Sequence, residues 1–360
     1  MILLPAGTFT LDSATVTLSK KIVLQGAGMN ATILSAASDP VLLASATFVT
    51  IQDLAITAST GVGIQFTSAD YGAVRRYYAN TIGTGVATSN SLGVVIRDSL
   101  FVAGANGVTI AHPSSVSEGG GLIQGNIFTG QTTASIIFAS SGGWRIADNR
   151  FLAIAVNGIN FTYAGASTIT GLTITGNTLA ACATSCITLG VTGGGLLTRV
   201  LISNNDLAPT GTGNGLVMSG TVSNTEIVGN QIGTLDTKFG ISLASGPTNL
   251  LIASNYFHGP GSGTATGITV NAAVTGLRYL HNTYDSLVAV PFVFSTAAAL
   301  IHDESGTALA SLPSTASNGS LIYCSDCQGS QDAAYAAGTC IATGAHTGAF
   351  ARRQNGTWQC

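Results

Sequence analysis

The sequence predicts an all-β protein folded as a right-handed parallel β-helix of about eleven turns, with a small cysteine-containing β module at its C-terminal end. A strand-like motif recurs every 22 to 28 residues, and Asn occupies one position of that motif in seven successive copies. The segments are short, alternate with period two and are bounded by Gly, Asn and Ser, which is typical of strands and not of helices. Recurrence at a nearly constant length is typical of stacked repeats.

The composition allows a large core and argues against several classes of partner. Of the 360 residues, 46% are hydrophobic and 8% are charged, and the net charge is −3. A chain without a basic tail or net positive charge is not expected to bind nucleic acid. No apolar run is long enough to cross a bilayer, so we expect no membrane insertion. We also expect no cofactor.

The N-terminal segment MILLPAGTFTL is predicted to be a strand inside the coil. It lacks the basic stretch and long apolar run of a signal peptide. We therefore expect natural sequence upstream of Met1.

The repeated motif consists of an aliphatic anchor, two variable residues, Asn, one variable residue and a large apolar residue, as in Ile123–Phe128. The Asn residues of the complete copies are Asn126, Asn149, Asn177, Asn205, Asn230, Asn255 and Asn282. Earlier copies without Asn are anchored at Leu24, Ile51, Val74 and Ile96. A β-sandwich, the alternative fold, gives no reason to repeat Asn at one register. In a coil each Asn lies above the previous one, so we expect a hydrogen-bonded column of Asn side chains.

The first segments also resemble a known superfamily. Leu4–Leu11 (LPAGTFTL), Lys21–Gly28 (KIVLQGAG) and Thr32–Leu34 are similar to the first turns of the pectate-lyase-like β-helices, and most like those of phage tailspike and tail-fibre proteins. The resemblance covers residues 1 to about 300 and implies an extracellular or virion-associated protein. It does not determine an activity, because this fold is shared by lyases, hydrolases and inert shafts. The paired aspartates and Gly-His-Gly of polygalacturonases are not present.

We expect the coil to span residues 1–300, a connector 301–318 and the C-terminal β-hairpin module 319–360. The module contains Cys324, Cys327, Cys340 and Cys360. These residues could bind zinc, but two disulfides are favoured because the spacing is loose and the expected location is oxidising. Cys182 and Cys186, four residues apart, are predicted to form either a local bridge or two buried thiols.

Several outward positions near the anchors are apolar where a solvated strand would be polar. They are Leu201, Val228, Leu251 and Leu280. A covering segment of the same chain is one explanation. Packing against other copies is the other, and we favour a homotrimer.

A second group of outward residues is charged or polar. Asp53, Arg76 and Asp98 follow successive anchors and Asp148 occupies the same position later. We expect a structural ion-pair stack, although a carboxylate pair with an Arg could also perform acid–base chemistry on a glycosidic or uronic-acid bond. Candidate ligand-binding residues are Arg75, Arg97 and Arg145, which could hold an acidic sugar, and Asn160 on the polar face of the second strand. Trp144 has inward parity and is predicted to lie in the core.

The predicted function is that of an extracellular shaft, similar to a tailspike or tail fibre, that binds cell-surface polysaccharide. The alternative is a polysaccharide lyase or glycosidase on the same scaffold, and a third possibility is a purely structural filament. The scarcity of carboxylates and the absence of family motifs favour the binding shaft.

Overall fold

Every regular element in the described part of the chain is a β-strand, as predicted. The computed structural model describes residues 1–11, 14–57, 60–80, 83–112, 119–235, 238–244, 246–259, 265–271, 274–288, 290–294, 302–307, 321–324, 349–354 and 357–359. Parallel pairing joins each strand to the one a full turn later, so the chain is a parallel β-helix with three strands per turn. Within these residues no helix is long and apolar enough to span a membrane.

The first sheet begins each turn and contains the anchors of the repeated motif. Its strands are Ile2–Leu3, Val23–Gln25, Thr50–Thr57, Ala73–Asn80, Val94–Arg97, Gly121–Gln124, Trp144–Ala147, Thr168–Thr175, Leu196–Ser203, Val222–Val228, Thr248–Ala253, Arg278–Leu280, His302–Thr307 and Leu321–Cys324.

The second sheet follows the first after a sharp bend. Thr50–Thr57 and Ala73–Asn80 run through both sheets, which are therefore continuous. The remaining strands are Gly7–Leu11, Thr32–Ala36, Leu100–Val102, Ile127–Thr129, Arg150–Leu152, Thr178–Cys182, Asp206–Pro209, Gln231–Gly233, Tyr256–His258 and Thr283–Tyr284.

The third sheet is separate and has 12 strands. They are Val16–Leu18, Leu42–Ala44, Val62–Thr67, Thr84–Ser89, Asn106–Ala111, Ala134–Phe138, Asn157–Tyr163, Ser185–Val191, Asn214–Gly220, Phe239–Leu243, Thr266–Val270 and Val290–Phe294.

The anchors of the sequence repeat pair with one another in the first sheet without a break. The register runs through Leu24, Ile51, Val74, Ile96, Ile123, Ile146, Ile174, Ile202, Ile227, Ile252 and Tyr279. All of these side chains are buried. The predicted register is therefore confirmed in every turn.

The Asn residues form one buried column, as predicted. The side-chain Nδ2 of Asn177 donates to Oδ1 of Asn205 at 2.9 Å and to the carbonyl of Ile146 at 2.9 Å. Its Oδ1 accepts hydrogen bonds from the backbone N and the Nδ2 of Asn149, both at 3.0 Å. The same set of bonds links every adjacent pair from Asn126 to Asn282. Each amide therefore satisfies buried backbone groups of its neighbours, which would otherwise destabilise the bend.

The core between the sheets is filled by stacked side chains. Phe101, Phe128 and Phe151 lie above one another with ring centroids 4.8 and 4.9 Å apart. Trp144 is buried against Phe138, and its indole N–H donates to Ser141 at 3.1 Å. Trp144 is thus a core residue, as predicted, and is not available to a ligand.

The C-terminal strands extend the first sheet. His302–Thr307, within the segment expected to be a connector, pairs in parallel with Arg278–Leu280 and with Leu321–Cys324. Ala349–Gln354 and Thr357–Gln359 then add two antiparallel strands. These strands cover the last parallel strand of the coil, whose unpaired groups would otherwise be open to association.

The cysteines differ in state. Cys182 and Cys186 are buried free thiols, and Cys186 donates to the carbonyl of Leu179 at 3.6 Å. Burial raises the pKa of the Cys186 thiol well above its ordinary value, so it stays protonated. Cys324 is disulfide-bonded. Cys327, Cys340 and Cys360 lie outside the described residues.

Candidate functional site

Two surface columns with left-handed backbone conformation border the first sheet. The leading column lies three residues before each anchor and has positive φ at Phe48, Tyr71, Gly93, Gly120, Gly143, Gly171, Arg199, Asn224, Asn249 and Gly276. The trailing column lies two residues after each anchor and has positive φ at Asp53, Arg76, Asp98, Gly125, Asp148, Gly176, Asn204, Gly229, Ser254 and His281. These residues bend the chain into and out of every strand, and they line the edges of its outer face.

The residues of the trailing column alternate in size. A Cβ at Gly176 would lie 2.5 Å from Oδ1 of Asp148, and one at Gly229 would lie 2.7 Å from Oδ1 of Asn204. Each of these short polar side chains therefore lies over the glycine of the next turn. Asp, Asn and Gly are the residues that tolerate this conformation best, which explains the composition of the column.

The leading column has two aromatic residues at positions where a left-handed backbone favours Gly, Asn or Asp. Phe48 and Tyr71 have φ of 59° and 56°, a conformation that is rare for bulky side chains. They are 49% and 59% exposed, and their nearly parallel rings lie 5.3 Å apart. The ammonium of Lys21, one turn earlier in the column, lies 5.0 Å from the centre of the Phe48 ring. Strained residues that are held in place by surrounding structure often belong to functional sites.

This aromatic pair lines an open groove of about 600 Å³ on the outer face of the first sheet. The ring of Tyr71 reaches over Gly93, where a Cβ would lie 2.6 Å from it. The groove also contains Arg75, Val95 and Met1. It therefore combines exposed rings, aliphatic surface and a cationic side chain in one place.

The predicted stack of Asp53, Arg76 and Asp98 lies at the opposite edge of the same face. The Arg76 guanidinium donates two hydrogen bonds to the Asp53 carboxylate, from Nε to Oδ1 at 2.5 Å and from Nη2 to Oδ2 at 2.8 Å. These bonds hold the pKa of the Asp53 carboxyl below its ordinary value. Asp98 lies 3.3 Å from the Nε of Arg97. Asp148, two turns beyond Asp98, accepts a hydrogen bond from Gln124 at 3.0 Å and is not part of the stack.

The predicted ligand-binding residues do not form one site. Arg75 and Arg97 are direct neighbours in the register of the first sheet. Arg145 lies two residues closer to the leading column and two turns further along, so it is not in the same column as Arg75 and Arg97. Asn160 belongs to the third sheet and faces another side of the coil.

The four apolar residues predicted at an interface lie in two columns. Leu201 and Leu251 alternate with Glu226 and Arg278 immediately before the anchors, so the apolar residues of this column are not contiguous. Val228 and Leu280 lie immediately after the anchors, in register with Ala253. That second column is uninterrupted, and its two outer members are half-buried.

The chain also matches a known family. The sequence profile described as periplasmic copper-binding protein (NosD) matches residues 22–273, more than two thirds of the chain. The chain belongs to the NosD family. No curated protein matches it in sequence.

The family's description names copper, and a copper site needs several ligating side chains close together. Among the described residues there is no group of three or more His, Cys, Asp or Glu side chains that could hold a metal ion. The neighbouring thiols of Cys182 and Cys186 are buried in the apolar core, where the pKa of Cys186 is raised. A thiol must lose its proton to bind a metal, so this pair does not fit copper.

Solved structures with the same fold include proteins of different activity. The Dettilon tailspike protein (gp208) superposes with a TM-score of 0.63 at 17% identity, covering 82% of this NosD-family chain and 62% of its own. This chain therefore spans less than two thirds of that tailspike. The mannuronan C-5 epimerase AlgE6 A-module of Azotobacter vinelandii superposes with a TM-score of 0.60 at 12% identity. The match covers 83% of this chain and 88% of the epimerase module. Tailspike protein 3 of bacteriophage CBA120 superposes with a TM-score of 0.59 at 11% identity. The match covers 88% of this chain and 59% of the tailspike. These similarities show the fold alone.

Sequence reasoning missed Phe48, Tyr71 and Lys21. A usable signal existed, because the position three residues before the anchor is Gly in five of the ten later turns. An aromatic residue at a position that otherwise favours Gly is unexpected on structural grounds alone. Lys21 precedes them in the same column.

The Asp53–Arg76 pair predicts a pH-dependent stability. Because the pKa of Asp53 is lowered in the folded protein, its stabilising effect is present above the ordinary value of 3.8 and is lost as the pH falls through the folded pKa. At pH 7 we expect the wild-type protein to have a higher melting temperature than the Asp53→Asn variant. Below pH 3.8 we expect the two melting temperatures to converge. Asp148→Asn in the same column is the matched control and should show little difference at either pH. A constant gap between wild type and Asp53→Asn across this range would contradict the ion-pair account.

Proposed function

We propose that this protein recognises a cell-surface polysaccharide through the outer face of its first sheet. The observation that carries the proposal is the exposed, strained Phe48–Tyr71 pair beside Lys21 and the groove that contains Arg75. Tailspikes and polysaccharide-modifying enzymes among proteins of the same fold support a ligand of this class.

The chemistry of the groove fits sugar units. A pyranose ring has an apolar C–H face that packs on aromatic rings and a rim of hydroxyl groups that needs polar partners. Phe48 and Tyr71 supply the apolar surface, and Tyr71 also has a polar tip. Arg75 and Lys21 supply donors at the border of the rings. Burying such rings against a ligand would also remove exposed apolar area from water.

A binding role fits the carboxylates better than catalysis does. A glycosidase needs one carboxyl group with a raised pKa as proton donor. Asp53 has a lowered pKa and both of its oxygens are bonded to Arg76, so it is a poor proton donor. Asp98 is two turns away, roughly 10 Å, and contacts Arg97. An enzyme remains the second candidate because Asp98 is exposed at the edge of the same face.

The coil also suits a shaft outside the cytoplasm. Ten steps of about 4.8 Å between the first and last anchors give a rod of roughly 50 Å. The periplasmic description of the family and the tailspikes of the same fold support an extracellular, virion-associated or periplasmic location.

We further propose that three copies associate side by side. Val228, Ala253 and Leu280 form an uninterrupted aliphatic column over three successive turns, in which Val228 and Leu280 are partly exposed and Ala253 is buried. This column lies toward the trailing edge of the face, whereas the aromatic groove lies at the leading edge. Self-association there would leave the groove accessible in every copy.

Replacing the aromatic pair tests the binding proposal. We expect Phe48→Ala and Tyr71→Ala each to weaken binding to the recognised polysaccharide about tenfold, since loss of one stacking ring costs on the order of 1–3 kcal/mol. Binding is measured on an array of bacterial surface polysaccharides and then by titration of the positive one. Tyr256→Ala is the matched control, because Tyr256 is also an exposed aromatic residue but lies on the second sheet. Unchanged binding by a folded double variant would refute this site.

The same experiment separates binding from catalysis. We expect no new reducing ends or unsaturated products when the bound polysaccharide is incubated with wild type. If products form, and Asp98→Asn abolishes them at an unchanged melting temperature, the enzyme candidate replaces the binding shaft.

Replacing Leu280 tests the assembly. An aspartate at a buried contact would lose solvation without gaining a partner, which costs several kcal/mol. We expect wild type to elute as a trimer and Leu280→Asp as a monomer in size-exclusion chromatography with light scattering. Ser203→Asp, in the same column one turn before Val228, is the control and should leave the trimer intact. A wild-type monomer would exclude this interface.

A further inference from the structure

The outer face of the first sheet carries a band of cations along the rod axis. Its basic residues are Lys21, Arg75, Arg97, Arg145, Arg199 and Arg278. They are distributed from the first anchored turn to the last, over roughly 48 Å at about 4.8 Å per turn. The whole chain has a net charge of −3, so this positive band is a local feature of one face.

Most of these cations have no partner within the protein. In the described part of the chain, no hydrogen bond or ion pair involves the guanidinium groups of Arg75, Arg145, Arg199 and Arg278. All four are exposed. Unpaired guanidinium groups on one face are available for anions, which they bind through charge-assisted hydrogen bonds.

A second groove lies on this band near its C-terminal end. It has a volume of about 470 Å³ and is lined by Asn224, Glu226, Asn249, Leu251 and Arg278. Its polar edge is built by the leading column, where Asn249 Nδ2 donates to Asn224 Oδ1 at 3.2 Å. Leu251 lies between Glu226 and Arg278 in the register of the first sheet. The groove therefore has an apolar floor with amide and charged groups around it, as a sugar-binding site requires.

The leading column has no side chain of its own in the four turns that follow the aromatic pair. From the aromatic groove onward the column consists of Gly93, Gly120, Gly143 and Gly171. Arg145 projects beside this stretch, and Arg199 follows it just before the second groove. Four successive glycines thus leave room for a linear chain along this stretch, and a cation lies beside the path every two or three turns.

We infer that the ligand is an anionic polysaccharide, carrying carboxylate or sulfate groups, that lies parallel to the rod axis and contacts both grooves. This inference rests on the proposed polysaccharide recognition and adds its charge class and its direction. Each groove alone holds a short segment weakly. A chain long enough to reach both binds more tightly, because the second contact is intramolecular once the first is made.

The negative charge of Glu226 distinguishes an anionic ligand from a neutral one. It is the carboxylate in the strand portion of the band, exposed between Leu201 and Leu251. An anionic unit in the second groove is repelled by it, whereas a neutral sugar gains a hydrogen-bond acceptor. Glu226→Gln therefore raises the affinity for a long anionic chain.

The test uses oligogalacturonides from the disaccharide to the polymer, dextran sulfate of matched length and neutral dextran, by titration calorimetry with the full chain. We expect affinity to rise with anionic chain length and to fall with added salt, with dextran weak throughout. Arg145→Ala, between the grooves, should weaken binding of the polymer about two- to fivefold and leave that of the disaccharide unchanged, whereas Arg278→Ala, which alters the second groove itself, should weaken both. Arg150→Ala, an exposed arginine on the second sheet, is the matched control. Comparison of galacturonate with dextran sulfate assigns the carboxylate or the sulfate class.

Other outcomes would overturn the inference in distinguishable ways. Binding of neutral polysaccharide through Phe48 and Tyr71, without dependence on salt or chain length, refutes the axial anionic ligand and leaves the proposed function standing. Binding of neither class, here or on the polysaccharide array, refutes both. If Glu226→Gln or Arg278→Ala instead changes the oligomeric state, the second groove is a contact between copies and the inference fails.

Discussion

The buried asparagine column is the interaction on which the rest of the structure depends. A parallel coil has a bend after every first-sheet strand, and the bend leaves backbone donors and acceptors without strand partners. The Asn amide satisfies them in both directions, as the bonds of Asn177 to Asn149, Asn205 and Ile146 show. Since one amide bonds the next, a turn shifted by one residue would break several buried bonds at once and would also turn its core side chains outward.

Because the register is fixed, surface residues at equivalent positions of successive turns form columns parallel to the axis of the coil. Every residue at a given offset from an anchor is placed directly above its counterpart in the previous turn. The cation band follows these columns over the whole coil. The aromatic pair and the ion-pair stack lie in the turns before Asn126, where the parallel pairing of the anchors keeps the same register. The bends demand left-handed residues, and glycine fills many of them, so the leading column is open for four turns, up to Arg199. Surface composition is therefore tied to the same geometry that builds the core.

The sequence predicted the parts of the molecule that repeat. The anchors, the Asn column and the inward place of Trp144 follow from periodicity, because burial imposes the same residue type on every turn. The groove was missed because Phe48 and Tyr71 occur once each at an offset outside the motif. The sequence pattern also did not show that Glu226 and Arg278 are the neighbours of Leu201 and Leu251, because neighbours in the register are known only once the strands are paired. The bidentate geometry of Arg76 on Asp53 could not be read from spacing, since side-chain direction depends on the backbone conformation of each bend.

The most direct test of this account is the effect of Asn177→Ala on unfolding and amide exchange. The substitution leaves the backbone N–H of Asn149 and one N–H of its Nδ2 without their acceptor, while the other keeps the carbonyl of Ile123, and it removes a donor from the carbonyl of Ile146. Buried unsatisfied groups of this kind cost about 1–3 kcal/mol each. The account predicts a loss of about 3–5 kcal/mol in the free energy of unfolding, with faster amide exchange at Asn149 and in the adjoining turns. Asn160→Ala on the third sheet should change neither. An Asn177→Ala protein with wild-type stability and wild-type exchange at Asn149 would contradict the central role of the column.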